Sequence, residues 1–146
     1  MPTRPTDLYT NNHWYFEIPG LVSPHFHMLE GIEKKSGEVS IVDGSTNIKH
    51  KFSSQLMEFN DIVLTRAMDG SIDDESMKEL VRLSLDYGQR FDGQLIKMHN
   101  HQEVFRILFL GLRIKNVAHP SLDTSAEERY DIKYTVSVSE WVEVGL

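Results

Sequence analysis

The longest apolar run in the chain predicts its central strand. Residues 104–117 read VFRILFLGLRIKNV, rich in the Phe, Ile, Leu and Val that fit a pleated, half-buried surface. Alternation along a strand separates two apolar sets: Phe105, Ile107 and Phe109 on one side, and Leu108, Leu110, Leu112 and Ile114 on the other. A strand that is apolar on both faces is expected to lie between a core and a second covering layer. A core helix is the alternative, and the glycine in mid-run weighs against it.

A second segment, residues 130–138, predicts the strand that pairs with the first. It reads YDIKYTVSV, and polar and apolar positions alternate cleanly. The apolar face is predicted to be buried, whereas the other face is wet or lines something wet. That polar face carries Asp131, Lys133, Thr135, Ser137 and Ser139. Residues 119–129, HPSLDTSAEER, between the two strands, are predicted to form a long loop.

Shorter alternating segments predict further strands. They cover residues 14–18, 25–34 (broken at Gly31), 38–42, 61–66 and 94–98, and Trp141 and Val144 near the end are expected in the core or an interface. Two polar stretches interrupt this pattern. Residues 1–12 are interpreted as an arm, and residues 43–58, DGSTNIKHKFSSQLME, as a projecting loop or hairpin that meets a partner.

The spacing of apolar positions changes from that of a strand to that of a helix over residues 73–91, so a helix is predicted there. Its stripe consists of Met77, Leu80, Val81, Ser84 and Leu85. Ser71 or Asp73 is expected to cap its start, and the acidic residues 73–75 are expected to form a solvated first turn.

The order of the predicted elements, several strands followed by one helix and then further strands, defines the predicted fold class. It is α+β and mainly antiparallel: one domain over residues 1–146, a small β-barrel or sandwich with one flanking helix. With 15 basic and 22 acidic residues, the net charge of −7 argues against a nonspecific DNA binder. The chain has no cysteine, so no disulfide or Cys-ligated metal is expected, and no apolar run is long enough to span a membrane.

Histidine spacing offers the only hint of metal chemistry. Of seven histidines, His25 with His27 and His99 with His101 are spaced two apart, which places both rings on one face of a strand. With Glu103, the second pair is weakly similar to the metal face of a cupin barrel enzyme. Surface or interface histidines are the favoured interpretation, so no metal, cofactor or catalytic residue is predicted, and the chain is not expected to be an enzyme.

Five short motifs, in a fixed order, are similar to those of tail tube proteins. Residues 15–21 (YFEIPGL) and 26–32 (FHMLEGI) come first, and residues 62–67 (IVLTRA) follow with Ala67 where Gly is usual. After the helix come residues 93–98 (GQLIKM) and then residues 120–125 (PSLDTS) between the last two long strands. In this order the chain resembles the tail tube family of contractile-tailed phages and related contractile injection systems.

The resemblance implies an assembly. Subunits of this family form hexameric rings whose strands join into one inner barrel, and the rings stack into a tube that conducts the genome or injected cargo. It implies a virion component, assembled in the host cytoplasm, whose partners are sheath, baseplate or tube-initiator and tape-measure proteins, with DNA passing through without tight binding. Lumen-facing residues are then expected to include Lys133, Thr135 and Ser137. Inter-ring contacts are expected at Thr46, Asn47, Ile48, Lys49, His50, Lys51 and Phe52.

Overall fold

Nine strands and one helix lie in the part of the chain that the computed structural model describes, residues 8–19, 25–44, 48–125 and 127–145. In chain order they are β1 (Trp14–Glu17), β2 (Met28–Glu30), β3 (Lys34–Asp43), β4 (Ile48–Phe59), β5 (Ile62–Ala67), α1 (Ile72–Tyr87), β6 (Phe91–His99), β7 (Gln102–Ala118), β8 (Asp131–Ser137) and β9 (Glu140–Gly145). All strand pairs among them are antiparallel. The α+β, mainly antiparallel prediction is therefore confirmed.

The long strand β7 belongs to two sheets. Sheet I consists of β1, β6, the first half of β7 and β9, and sheet II consists of the second half of β7, β8, β5 and β2. Strands β1 and β2 end the hydrogen-bonded path, so over the described residues the sheet does not close into a barrel. The sandwich alternative of the sequence prediction describes this arrangement better, because one bent strand turns the two halves toward a common core.

Gly111 produces the bend in β7. Its φ of +64° is a left-handed conformation that side chains other than glycine rarely adopt. Before it Ile107 and Phe109 are buried, and after it Leu112 and Ile114 are buried. The prediction that these pairs lie on opposite faces is wrong, because one left-handed residue shifts the alternation by one position. Both halves of β7 therefore face the same core, and none of the described residues forms the expected second layer over the first half, where Leu108 and Leu110 are exposed.

Four hydrogen bonds hold the bend. Arg90 donates from Nη1 to the Gly111 carbonyl (2.9 Å) and to the Ser139 hydroxyl (3.1 Å), and that hydroxyl also bonds the Gly111 carbonyl (3.2 Å). The Gly111 amide donates to Asp92 at 3.2 Å. Ser139 lies in the break between β8 and β9. The partner of β7 therefore changes from β9 to β8 at the same point at which β7 bends.

The helix is shorter than predicted. It begins after Ser71, whose hydroxyl accepts a hydrogen bond from the Asp73 amide, and it ends at Gly88, which has a φ of +66°. The predicted extension to Phe91 is wrong, because the left-handed residue stops the helix and Phe91 begins β6. Met77, Leu80 and Ser84 of the predicted stripe are buried, whereas Leu85 is exposed.

The first turn of the helix is not solvated as predicted. Asp73 and Asp74 are buried, and Asp74 forms an ion pair with Arg66 of β5, which is only 1% exposed. The Gly70 amide also donates to Asp74 (2.8 Å). The hydrogen bond from Arg66 lowers the pKa of Asp74 below its usual value. Arg66 and Asp74 thus join the start of the helix to the core face of sheet II. Arg66 shares this face of β5 with Ile62 and Leu64.

Replacing Gly111 by alanine should destabilise the protein for two reasons. The new side chain would be strained at positive φ, and its Cβ would overlap the Ser139 side chain. We expect a loss of about 2–4 kcal/mol in the free energy of unfolding, measured by chemical denaturation. Gly70→Ala is the matched control, because Gly70 also has a positive φ (+75°) but no atom lies within 4 Å of its added Cβ. The control should lose only about 1 kcal/mol, and equal losses would contradict the role of Ser139.

Replacing Asp74 by asparagine should leave the buried guanidinium of Arg66 without its main charge partner. We expect a loss of about 3 kcal/mol in the free energy of unfolding at pH 7. Because the pKa of Asp74 is lowered by folding, its contribution is complete above the unfolded pKa of about 4 and is lost as pH falls through the folded value. The difference between wild type and variant should therefore shrink below about pH 4. Asp86→Asn, an exposed position on the same helix, should change stability by less than about 0.5 kcal/mol.

Candidate assembly surfaces

The predicted polar projection is a long β-hairpin. Strands β3 and β4 pair only with each other among the described residues, from Lys34 opposite Phe59 to Asp43 opposite Ile48. Residues 43–58, predicted as a projecting loop or hairpin, hold only the second arm, β4, of a hairpin whose first arm begins nine residues earlier, at Lys34. Ten residues of extended strand reach about 33 Å.

The base of this hairpin is fixed to β9. The Lys34 Nζ atom lies 4.4 Å from the ring centroid of Trp141, and the Phe59 ring meets the same indole edge-on at 6.2 Å. Asn60, just after β4, donates hydrogen bonds from its amide and its side chain to Glu33 (3.0 and 2.9 Å). Of the two residues expected in the core or an interface, Trp141 is therefore in the core, whereas Val144 is exposed.

The expected inter-ring residues lie at the far end of the hairpin. Ile48 begins β4 and is half exposed, and Lys49, His50, Lys51 and Phe52 follow it on the same strand. Thr46 and Asn47 lie outside the described residues. The hairpin therefore carries its expected contact residues at the end away from Trp141.

The expected lumen residues share one face of sheet II, on the side opposite the core. Lys133, Thr135 and Ser137 alternate on β8 with the buried Ile132, Tyr134 and Val136, which confirms the alternation predicted from the sequence. Strand pairing brings two more polar side chains, Glu30 and Asn116, to the same face, together with Val63 and the buried Thr65. An ion pair between Lys115 and Asp61 (2.5 Å) links β7 to the start of β5. This polar surface, called here the outer face of sheet II, suits contact with water.

The histidine pairs are not arranged as metal sites. His99 ends β6, whereas His101 is the second residue of the two-residue Asn100–His101 turn into β7. Arg106 holds the Glu103 carboxylate through two hydrogen bonds (2.7 and 3.2 Å). Among the described residues no three His, Asp or Glu side chains converge as metal ligands. The described part contains no helix with the length and apolar character needed to cross a membrane.

The outer face of sheet I was anticipated from the sequence only in part, as the second apolar face of β7 and as the expectation of Val144 in the core or an interface. Its exposed apolar side chains come from three strands: Tyr15 on β1, Leu108 and Leu110 on β7, and Val142 and Val144 on β9. The signal was present as alternation in EWVEVG, where the valines face away from the buried Trp141. Its meaning depended on the Gly111 bend, which leaves the two leucines without a covering layer.

Comparison with known proteins identifies the fold. No protein-family model and no curated protein matches the sequence. Among solved structures, a chain in the cryo-EM structure of the anti-feeding prophage cap (AFP tube terminating cap) has a TM-score of 0.83 at 12% identity, over 100% of this chain and 97% of that chain. A chain in the PVC sheath–tube complex of an extracellular contractile injection system has a TM-score of 0.79 at 10% identity, over 95% of this chain and 93% of that chain.

A phage tube shows the same architecture at lower similarity. The SPP1 tail tube structure gives a TM-score of 0.62 at 9% identity, over 95% of this chain and 80% of that chain. These likenesses extend over nearly the whole chain, although few residues are identical. The resemblance seen in the sequence motifs is thus confirmed at the level of the fold: this chain has the fold of tail tube and tube-terminator proteins of contractile injection systems.

Proposed function

We propose that this chain is a structural subunit of a tail tube, forming hexameric rings that stack around a channel. The observation that carries the proposal is the likeness, at a TM-score of 0.83 and over the whole chain, to a chain of a tube-terminating cap. Two features of the surface support it. The long hairpin projects from a fixed base, and sheet II presents a polar face without a partner among the described residues.

The outer face of sheet II would line the channel. Most of its side chains are polar, with Val63 among them, and charges of both signs occur close together, as in the pair Lys115–Asp61. Lys133, Thr135 and Ser137 provide no dense cationic patch for phosphates. The chain's net charge of −7 adds repulsion, so DNA or another polyanion would pass without tight binding.

Ring stacking would use the hairpin tip. In a head-to-tail stack each ring presents one surface to the ring above and a different one to the ring below, so the contact does not close on itself and a filament grows. Thr46 to Phe52 would make this contact. The remaining partners would be sheath, baseplate or tube-initiator and tape-measure proteins. The chain would act without enzymatic activity, as part of a phage tail or injection particle assembled in the host cytoplasm.

The test is electron microscopy of the purified protein across a range of concentrations. Wild-type protein should form hollow six-fold rings at low concentration and tubes at high concentration. Particles that remain monomeric at every concentration, and that also fail to join preformed tubes of their own system, would contradict the proposal. Single rings that never stack would indicate a tube-terminating cap instead.

A shortened hairpin provides the variant for the stacking contact. Replacing residues 40–51 by Asn-Gly joins Val39 to its partner Phe52 through a two-residue turn and leaves the base at Trp141 intact. We expect folded rings that no longer stack, seen as a loss of tubes by microscopy at unchanged melting temperature within a few degrees. The control exchanges Ser125 for Ala in the loop after β7 and should form normal tubes. Normal tubes from the shortened variant would refute the stacking role.

A further inference from the structure

The outer face of sheet I brings together exposed apolar side chains from three described strands. Strand pairing places Leu108 directly opposite Val142, and Val144 opposite Arg106. Leu108, Val142, Val144, Leu110 on β7 and Tyr15 on β1 are between 36% and 58% exposed. Exposed apolar side chains grouped on one face of a domain mark an interaction site. The outer face of sheet II is more polar: there Val63 lies between Glu30 on β2 and Thr135 on β8.

A hydrogen-bonded polar row crosses the same face. Gln94 donates to Glu17 (2.8 Å), and Arg106 donates to Gln94 (3.2 Å) as well as to Glu103. The hydrogen bond to Glu103 raises the pKa of Arg106 above its ordinary value. These bonds hold long side chains in place, so less conformational entropy is lost when a partner covers them.

The charge of this face is acidic. Glu17, Glu103 and Glu140 surround the apolar patch, and Arg106 is the one cation on the described part of the surface between them. Glu140 lies directly opposite Leu110 at the edge formed by β9. A partner that fits this face would therefore combine apolar side chains with positive charge.

The hairpin tip has that composition. Residues 48–52 at the far end of β4 read IKHKF, with two lysines, and Asp43 is the one acidic residue beside them, opposite Ile48. Residues 34–59 hold four lysines and three acids, so the hairpin carries +1 and the rest of the chain −8. Ile48 is 53% exposed at the start of β4. Because the hairpin extends about 33 Å from its base, its tip can reach another subunit.

We infer that the outer face of sheet I is the acceptor surface for the β3–β4 hairpin tip of a second copy of this chain. The inference rests on the proposed function, since it names the partner of the stacking contact. Ile48 packs against Leu108, Leu110 and Val142, and the net positive charge of the hairpin complements the acidic border at Glu17 and Glu140. The contact is heterologous, because the tip and the acceptor face are different surfaces of the same molecule.

Photo-crosslinking tests the contact directly. A benzophenone amino acid replaces Ile48, and an equimolar mixture of ¹⁵N-labelled and unlabelled chains is irradiated under assembly conditions. We expect mixed-isotope crosslinked peptides from residues 102–112 or 140–145. Mixed-isotope crosslinks that map elsewhere, for example to β8, would overturn the acceptor assignment while leaving the tube subunit proposal in place. Absence of any mixed-isotope crosslink in assembled tubes would overturn it as well.

Substitution of the acceptor face provides a second, independent readout. Leu110→Asp should raise the concentration needed for half-maximal assembly at least about tenfold, because it removes an apolar contact and adds repulsion to an acidic face. Leu122→Asp is the matched control, since Leu122 is 79% exposed in the loop between β7 and β8. Both variants should keep the melting temperature of the monomer. Equal assembly by the two variants would overturn the inference, whereas loss of assembly in wild type would refute the proposed function itself.

Discussion

The bend at Gly111 is the constraint on which the rest of the structure depends. One strand serves two sheets because a single left-handed residue turns it and shifts its alternation by one position. Arg90, Asp92 and Ser139 satisfy the polar groups of the bend, so it is held by hydrogen bonds from β6, from the residue just before it and from the break between β8 and β9. Without that shift, Leu112 and Ile114 would leave the core and sheet II would lose its inner face.

The second constraint is the connection between the helix and sheet II. Arg66 is almost fully buried and meets Asp74, which lies in the first turn of the helix. Such a pair gives little net stability over an apolar alternative, but removing one member leaves a buried charge. The pair therefore specifies where the helix docks, and the apolar contacts of Met77 and Leu80 supply the burial.

Two outer faces of different chemistry follow from this arrangement. Sheet II presents mainly polar side chains on its outer face, whereas sheet I presents leucines and valines with an acidic border. The hairpin extends from its base at Trp141 and carries a net charge of +1. If its end meets the outer face of sheet I of another copy, as inferred above, the contact joins two different surfaces and the assembly is head to tail.

The pattern of polar and apolar residues along short segments was sufficient to predict most strands and the helix. Clean alternation predicted β8, a change of period predicted α1, and the order of elements gave the α+β class, because side-chain periodicity is a property of short segments. The sequence also held the hairpin, although its first arm was recognised only in part. Tertiary structure alone decided the burial of Asp73 and Asp74, since a charged first turn has the same sequence whether Arg66 meets it or water does. It also decided which face of β7 is covered, because the φ of Gly111 depends on contacts with Arg90 and Ser139, residues distant in the chain.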